Sequence, residues 1–310
     1  MIKNQLDQRI AENIRSFIAT ERVLENEPMS AHTSFRIGGP ADVFVIVNTQ
    51  DELSKLLQYI NDNKVNYMFI GNGSNFLVSD NGYRGVMITL GGEFDSISVS
   101  GDRIKVGAAK LLSSTSSFAT ENGLAGIEFA SGIPGSIGGA IYMNAGAYGG
   151  EMKDVTETVD LLSQDGKRRV SLSGEEMGFE YRNSKIQSTG DIVCAVVLKL
   201  QPDDKLEIAE RVKALSQKRN SKQPVTFPSA GSTFKRPASG YAAALIEEAG
   251  LKGLTVGGAQ VSEKHSGFVI NIGEATCNDV LELMRQVRER VLQNSGILLE
   301  PEVRIIGEEL

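Results

Sequence analysis

SGIPGSIGGAIYMNAGAYGGE, residues 131–151, packs seven glycines among apolar Ile133, Ile137, Ile141 and Met143. A flexible linker mixes glycine with serine and charge, whereas these glycines alternate with side chains that favour burial. The backbone itself must therefore come close to something, and the reading that fits best is a phosphate-bearing cofactor. Backbone N–H groups in tight turns form concave anion-binding nests, and a Cβ would block the approach of a pyrophosphate. Glycine runs also serve where strands cross closely or turn corners, and this stretch alone leaves that alternative open.

A second loop narrows the choice. Gly71-Asn72-Gly73-Ser74-Asn75 follows the apolar run Tyr67-Met68-Phe69-Ile70 and precedes Phe76-Leu77-Val78. Two glycine loops beside strand-like runs point to one ligand gripped from two sides. Neither loop is a GxGxxG dinucleotide fingerprint in its strand-to-helix context, and the chain has no GxxxxGK[ST], which argues against a P-loop nucleotide hydrolase.

A chain of 310 residues with 41% hydrophobic and 23% charged side chains is large enough for two or three domains and a buried cofactor. The net charge of −7 argues against a nucleic-acid partner or a membrane surface, both of which need a basic footprint. Cys194 and Cys277 form no CxxC and no metal-ligand spacing, so no metal is expected and a reducing cytoplasm is the default compartment. No signal-peptide pattern and no apolar run of spanning length is present.

Periodicity predicts a helix over 2–20 with Ile2, Leu6, Ile10, Ile14 and Ile18 on one stripe, and a second helix capped by Asp51. Further helices are expected at 111–122, 204–218, 241–249 and 277–294. The fourth stripe would carry Leu206, Ala209, Val212 and Leu215. Hairpins are expected across Gly101-Asp102 and Asp165-Gly166, a buried strand at 192–200 and a last strand at 298–306. The pattern is a mixed cofactor half followed by an α+β half.

Between Arg211 and Arg236 lie seven basic residues and no acid, a local reversal in an acidic chain. A solvated helix face accounts for Arg211 and Lys213. Arg219, Lys222, Lys235 and Arg236 sit in or beside loops where a diphosphate could be held by charge-assisted hydrogen bonds. The same window contains GSTFKRP (231–237). Taken with TSFRIGG (33–39), GNGSN (71–75), the 131–151 stretch, YRNS (181–184) and LEPEVR (299–304), it resembles the UDP-N-acetylenolpyruvoylglucosamine reductase family over nearly the whole chain.

That resemblance implies an α+β protein: an FAD-binding domain of the vanillyl-alcohol-oxidase (PCMH) type in two subdomains at 33–200, preceded by an N-terminal helical segment at 1–32 and followed by a substrate-binding domain at 201–310. It implies FAD as cofactor and NADPH as reductant. A UDP-sugar enolpyruvyl ether would be the substrate, reduced to UDP-N-acetylmuramate for peptidoglycan. The expected flavin contacts are Arg36, Gly71, Asn72, Gly73, Ser74, Asn75, Gly132, Gly135, Ser136, Gly138, Gly139, Asn144 and Gly146. Covalent-flavin relatives use a histidine, but His32 and His265, the only two here, lie outside the cofactor loops, so the FAD is expected to be noncovalent.

Ser232 matches the position that protonates substrate carbon, and Arg182 and Glu302 match those that stabilise the enolate. Expected near the sugar nucleotide are Arg219, Lys222, Arg236, Lys252 and His265. The spacing from Arg182 to Ser232 resembles the shorter subtype without the inserted tyrosine-bearing loop. A flavin-dependent oxidase of the same fold and a nonenzymatic nucleotide-binding module remain the rival readings.

Overall fold

The computed structural model describes the backbone of residues 2–307 and the side chains of residues 9–307. Its helices are α1 (Ile2–Arg15), α2 (Gln50–Asp62), α3 (Leu112–Glu121), α4 (Ile137–Tyr142), α5 (Ile186–Thr189), α6 (Lys205–Lys222), α7 (Ala242–Glu248) and α8 (Cys277–Ser295). The chain forms two compact units. The first takes the segment up to Glu25, Val43–Asn72 and Gly85–Lys218; the second takes Asn26–Asp42, Gly73–Arg84 and everything from Arg219 on.

Two cores build the first unit, in keeping with a cofactor domain of two subdomains. In one, Ala11 and Ile14 of α1 and Leu53, Leu56, Leu57 and Ile60 of α2 bury against Val43, Val45, Val47, Val86 and Ile88. Ile2 and Leu6, the start of the expected stripe, have side chains outside the described residues. Asp51 is not the cap of α2. Thr49 is, in a reciprocal capping box with Glu52, because T-x-x-E satisfies two backbone N–H groups at once.

The other core lies on a five-stranded antiparallel sheet in the order Arg169–Ser173, Thr156–Leu162, Ile192–Lys199, Arg103–Gly107, Ile97–Ser100. Both expected hairpins form, with Gly101 and Gly166 at φ +60° and +73°. Alternation along Ile104, Val106, Val159, Leu161, Val196 and Leu198 turns one sheet face onto α3 and α4. The short helix α4 lies inside the long glycine stretch, where sequence reading placed no helix.

In the second unit, α8 turns Val280, Leu283, Met284, Val287 and Val291 inward at helical spacing, toward Ala259, Val261 and Val269 of an antiparallel sheet (Thr255–Val256, Ala259–Val261, Val269–Asn271). Its N-terminus is capped by two side chains: Asp80 accepts from Cys277 N (2.7 Å) and Asn278 N (3.0 Å), and Thr276 from Asp279 N (3.0 Å).

Two expectations need correction. The final strand is Arg304–Ile306 and not 298–306, paired in parallel with Phe76–Val78. Pro301 has no N–H to donate and makes only an isolated bridge to Phe234. The apolar stripe of α6 is not buried: Ile208 is the one buried residue of that helix, and Leu206 is 77% exposed.

Candidate active site

Gly71 and Asn72, the start of the first glycine loop, meet the second glycine stretch within the first unit. Asn72 Nδ2 donates to the Pro134 carbonyl at 2.7 Å, and a Cβ on Gly71 would collide with Ser136 Oγ. Ser136 is the N-cap of α4, accepting from Gly139 N. Gly138 is accounted for by packing, since its N–H donates to Ala108 O at 2.8 Å and an added Cβ would lie 3.2 Å from Ala108. Gly146 permits the tight pairing of Gly146–Ala147 with Gly150–Glu151. By contrast, no backbone N–H from Gly71 to Asn75 donates a hydrogen bond within the described chain. A run of free donors in a glycine loop suits phosphate oxygens.

Seven non-glycine residues in the described chain adopt left-handed backbone, and three of them are candidate site residues: Arg36 (φ +57°), Asn144 (φ +41°) and Arg182 (φ +55°). Such conformations cost roughly 1 kcal/mol or more and persist where surroundings enforce them. Around Arg182 the enforcement is visible. Ser184 Oγ (2.9 Å) and Gln187 Nε2 (2.8 Å) donate to the Tyr142 carbonyl, and Asn144 Nδ2 donates to the Glu180 carbonyl at 3.0 Å. The turn bearing Arg182 is thereby fixed to the end of α4. The amide of Asn144 also binds Glu151 and Lys153, so it holds this turn together from a fully buried position. The Arg182 guanidinium lies over the exposed Tyr181 ring at 5.0 Å.

Ser232 and Glu302 both belong to the second unit, where Glu302 is bonded to Thr233, the residue after Ser232. Glu302 N donates to the Thr233 carbonyl at 2.8 Å, and Lys235 N to the Glu300 carbonyl at 2.8 Å. Both candidate side chains are partly exposed. Asn75, from the first glycine loop, reaches the same place: its Nδ2 donates to the Glu302 carbonyl at 3.2 Å, and its own carbonyl accepts from Arg304 N at 2.9 Å. Glu302 precedes the last strand and does not lie within it.

Lys222, Lys252 and His265 also come together in the second unit. Burial holds the partly exposed imidazole below its usual range, and the positive charges of Lys252 and Lys222 lower it further while Glu247 opposes them. His265 Nδ1 accepts from Gly267 N at 3.2 Å, leaving Nε2 to donate. Lys252 pairs with Glu247 at 2.6 Å. Arg236 sits over the Tyr241 ring at 4.3 Å, and Arg219 lies in the last turn of α6. Arg211, in contrast, is bound to Glu128 (2.9 Å) and Asp203 (2.6 Å), as the solvated-face reading expects.

Residue type and spacing alone do not single out Thr233. Its sole signal was its place beside Ser232.

Residues 41–171 match the family described as FAD binding domain, and residues 223–306 match UDP-N-acetylenolpyruvoylglucosamine reductase, C-terminal domain. The fold thus defines an α+β protein with an FAD-binding domain and a C-terminal reductase domain. The chain is 48% identical over 292 residues to the UDP-N-acetylenolpyruvoylglucosamine reductase of Alkaliphilus oremlandii, covering 94% of this chain and 96% of that one. To the reductase of Caldanaerobacter subterraneus subsp. tengcongensis it is 46% identical over 300 residues, covering 97% and 99%. The crystal structure of UDP-N-acetylenolpyruvylglucosamine reductase from Thermus caldophilus superposes with a TM-score of 0.81 at 38% identity, over 92% of this chain and 99% of that one. The chain belongs to the UDP-N-acetylenolpyruvoylglucosamine reductase family.

Proposed function

We propose that this protein reduces the enolpyruvyl ether of UDP-N-acetylglucosamine-enolpyruvate to UDP-N-acetylmuramate in peptidoglycan precursor synthesis, using NADPH and noncovalent FAD. The single observation that supports the site assignment is the 2.8 Å hydrogen bond from Glu302 N to the carbonyl of Thr233, the residue after Ser232. The unpartnered N–H groups of Gly71 to Asn75 fit the cofactor's pyrophosphate, and the family resemblance adds Ser136, Gly139 and Arg36 as expected contacts.

When bound and reduced by NADPH, FAD supplies the hydride that the vinyl terminus of the substrate receives. The protein's own residues handle the charge and the proton. Hydride addition places negative charge on the carbon conjugated with the carboxylate, and the guanidinium of Arg182, a rigid fork of donors, stabilises that enolate. Glu302 shares with Arg182 the task of stabilising that enolate. Ser232 then gives its Oγ proton to the carbon. Lys222, Lys252, Arg219 and Arg236 bring positive charge for the diphosphate, and neutral His265 offers an Nε2–H donor. Cys194 and Cys277, both buried and not joined in a disulfide, fit a reducing, cytoplasmic setting.

Anaerobic mixing tests the reading. NADPH should bleach the yellow protein, and the enolpyruvyl sugar nucleotide should restore the colour. Reoxidation by air alone, with no response to the sugar nucleotide, would make the protein an oxidase of the same fold.

A further inference from the structure

We propose that Thr233 is a positioning residue that sets Ser232 against Glu302 and thereby governs proton delivery to carbon; this rests on the functional reading above. Thr233 is 4% exposed and is anchored through every backbone group and its hydroxyl. Its N–H donates to the Gly267 carbonyl at 2.9 Å, its carbonyl accepts from Glu302 N at 2.8 Å and Val303 N at 3.4 Å, and its Oγ1 accepts from Val269 N at 2.9 Å. The next residue, Phe234, is 3% exposed and bridges to Pro301.

On the preceding side the chain is next held at Ser229, which bridges to Ile270 and whose carbonyl accepts from Ser34 Oγ at 2.7 Å. Gly231 has φ +74°, and an added Cβ there would meet nothing within 4 Å. The open Gly231 separates Ser232 from that hold, whereas the anchored Thr233 adjoins it directly. Of the Thr233 contacts, only the Oγ1 bond depends on the side chain. It locks the peptide to Val269, which is 2% exposed and whose N–H would otherwise be buried without an acceptor. A second link runs through Gly267, whose carbonyl holds Thr233 and whose N–H holds His265 Nδ1, so one residue couples the proton donor, the carboxylate and the imidazole.

Thr233→Val keeps the shape and removes the acceptor, while Thr233→Ser keeps the acceptor. In stopped-flow experiments on the FAD-loaded enzyme, Thr233→Val should slow reoxidation by the enolpyruvyl sugar nucleotide about 10- to 100-fold, as a misplaced catalytic group does. NADPH reduction and half-saturation by substrate should each stay within about twofold, the pattern of an interaction used in the transition state. The solvent deuterium isotope effect on reoxidation should rise, since proton transfer becomes the slower event. Thr233→Ser should restore the rate to within about threefold of wild type. If Thr233→Val yields no folded holoenzyme, Thr233→Cys makes the same test with a weaker acceptor, and its rate must fall clearly below that of Thr233→Ser.

Wild-type reoxidation by substrate together with an unimpaired Thr233→Val, or a Thr233→Ser as slow as the valine variant, overturns the inference while leaving the function standing. A wild-type enzyme that substrate does not reoxidise overturns both.

Discussion

The side-chain amide of Asn72 donates to the Pro134 carbonyl at 2.7 Å, so the start of one glycine loop is tied, within the first unit, to a second about sixty residues away in sequence. Their closeness depends on the missing Cβ of Gly71. We expect Gly71→Ala to displace the Ser136 hydroxyl that caps α4, at a cost of about 1 kcal/mol for the cap alone, and to lower FAD content. Visible absorbance per protein, and the flavin released on heating, measure the loss. Full FAD occupancy with unchanged thermal stability would contradict this placement of the loop. The released flavin should be entirely FAD, with none left on the precipitated chain.

Ser232→Ala separates chemistry from binding. Reduction of the flavin by NADPH requires no proton on a substrate carbon, so that rate should stay near wild type. Reoxidation by the enolpyruvyl sugar nucleotide should fall by about 10² to 10⁴, the usual worth of a positioned general acid. Ser232→Cys should recover part of the loss, because a thiol still offers a proton. Wild-type reoxidation in Ser232→Ala would assign proton delivery elsewhere.

His265 provides a titration test that needs little assignment, since the sequence holds only two histidines. Burial and the Lys252 and Lys222 charges lower its pKa from 6.5. In the NMR titration, Lys222→Met and Lys252→Met should each move the imidazole midpoint upward, and Glu247→Gln should move it downward. The stability consequence has a definite sign. Above pH 6.5 the ring is neutral in both folded and unfolded chains and contributes nothing; as pH falls from there toward the lowered folded pKa, the unfolded chain alone takes up the proton and stability declines. His265→Asn should flatten that acid limb in urea unfolding measured at successive pH values.

Asp80 should matter to the second unit far more than an exposed carboxylate ordinarily does, because it accepts from the first two N–H groups of α8. Asp80→Ala should destabilise the second unit by about 1 to 2 kcal/mol through lost capping and lost helix-dipole compensation. Asp80→Asn should cost less, since one acceptor oxygen remains. Urea midpoints of the two variants decide it, and equal midpoints for Asp80→Ala and wild type would show that water replaces the cap.

Local chemistry was legible wherever one short segment settles its own conformation. The 3.6-residue period of Val280, Leu283, Met284, Val287 and Val291 predicts α8 to within a residue, and Gly101 and Gly166 mark their hairpins because a left-handed turn needs them. Periodicity misled at α6, where Leu206, Ala209, Val212 and Leu215 repeat as a buried stripe would and yet remain largely outside the core. A stripe states that a face could be buried; only a partner surface decides that it is. Arg211 was ambiguous for the same reason until Glu128, 83 residues away, supplied its ion pair.

By itself the sequence determined the family, the two glycine loops, the acid-free basic window and the identity of the candidate catalytic residues, because these are statements about residue types at fixed short spacings. Tertiary structure decided which of them stand together. Phe76–Val78 pairs with Arg304–Ile306, Asn75 reaches the Glu302 carbonyl, and Asn26–Asp42 and Gly73–Arg84 join the C-terminal unit. Parallel pairing across such a separation leaves no periodic trace in either strand. It is selected by the burial of Leu77 and Ile306 and by backbone groups that must find partners once the chain has collapsed, a condition on the whole fold and not on any one stretch.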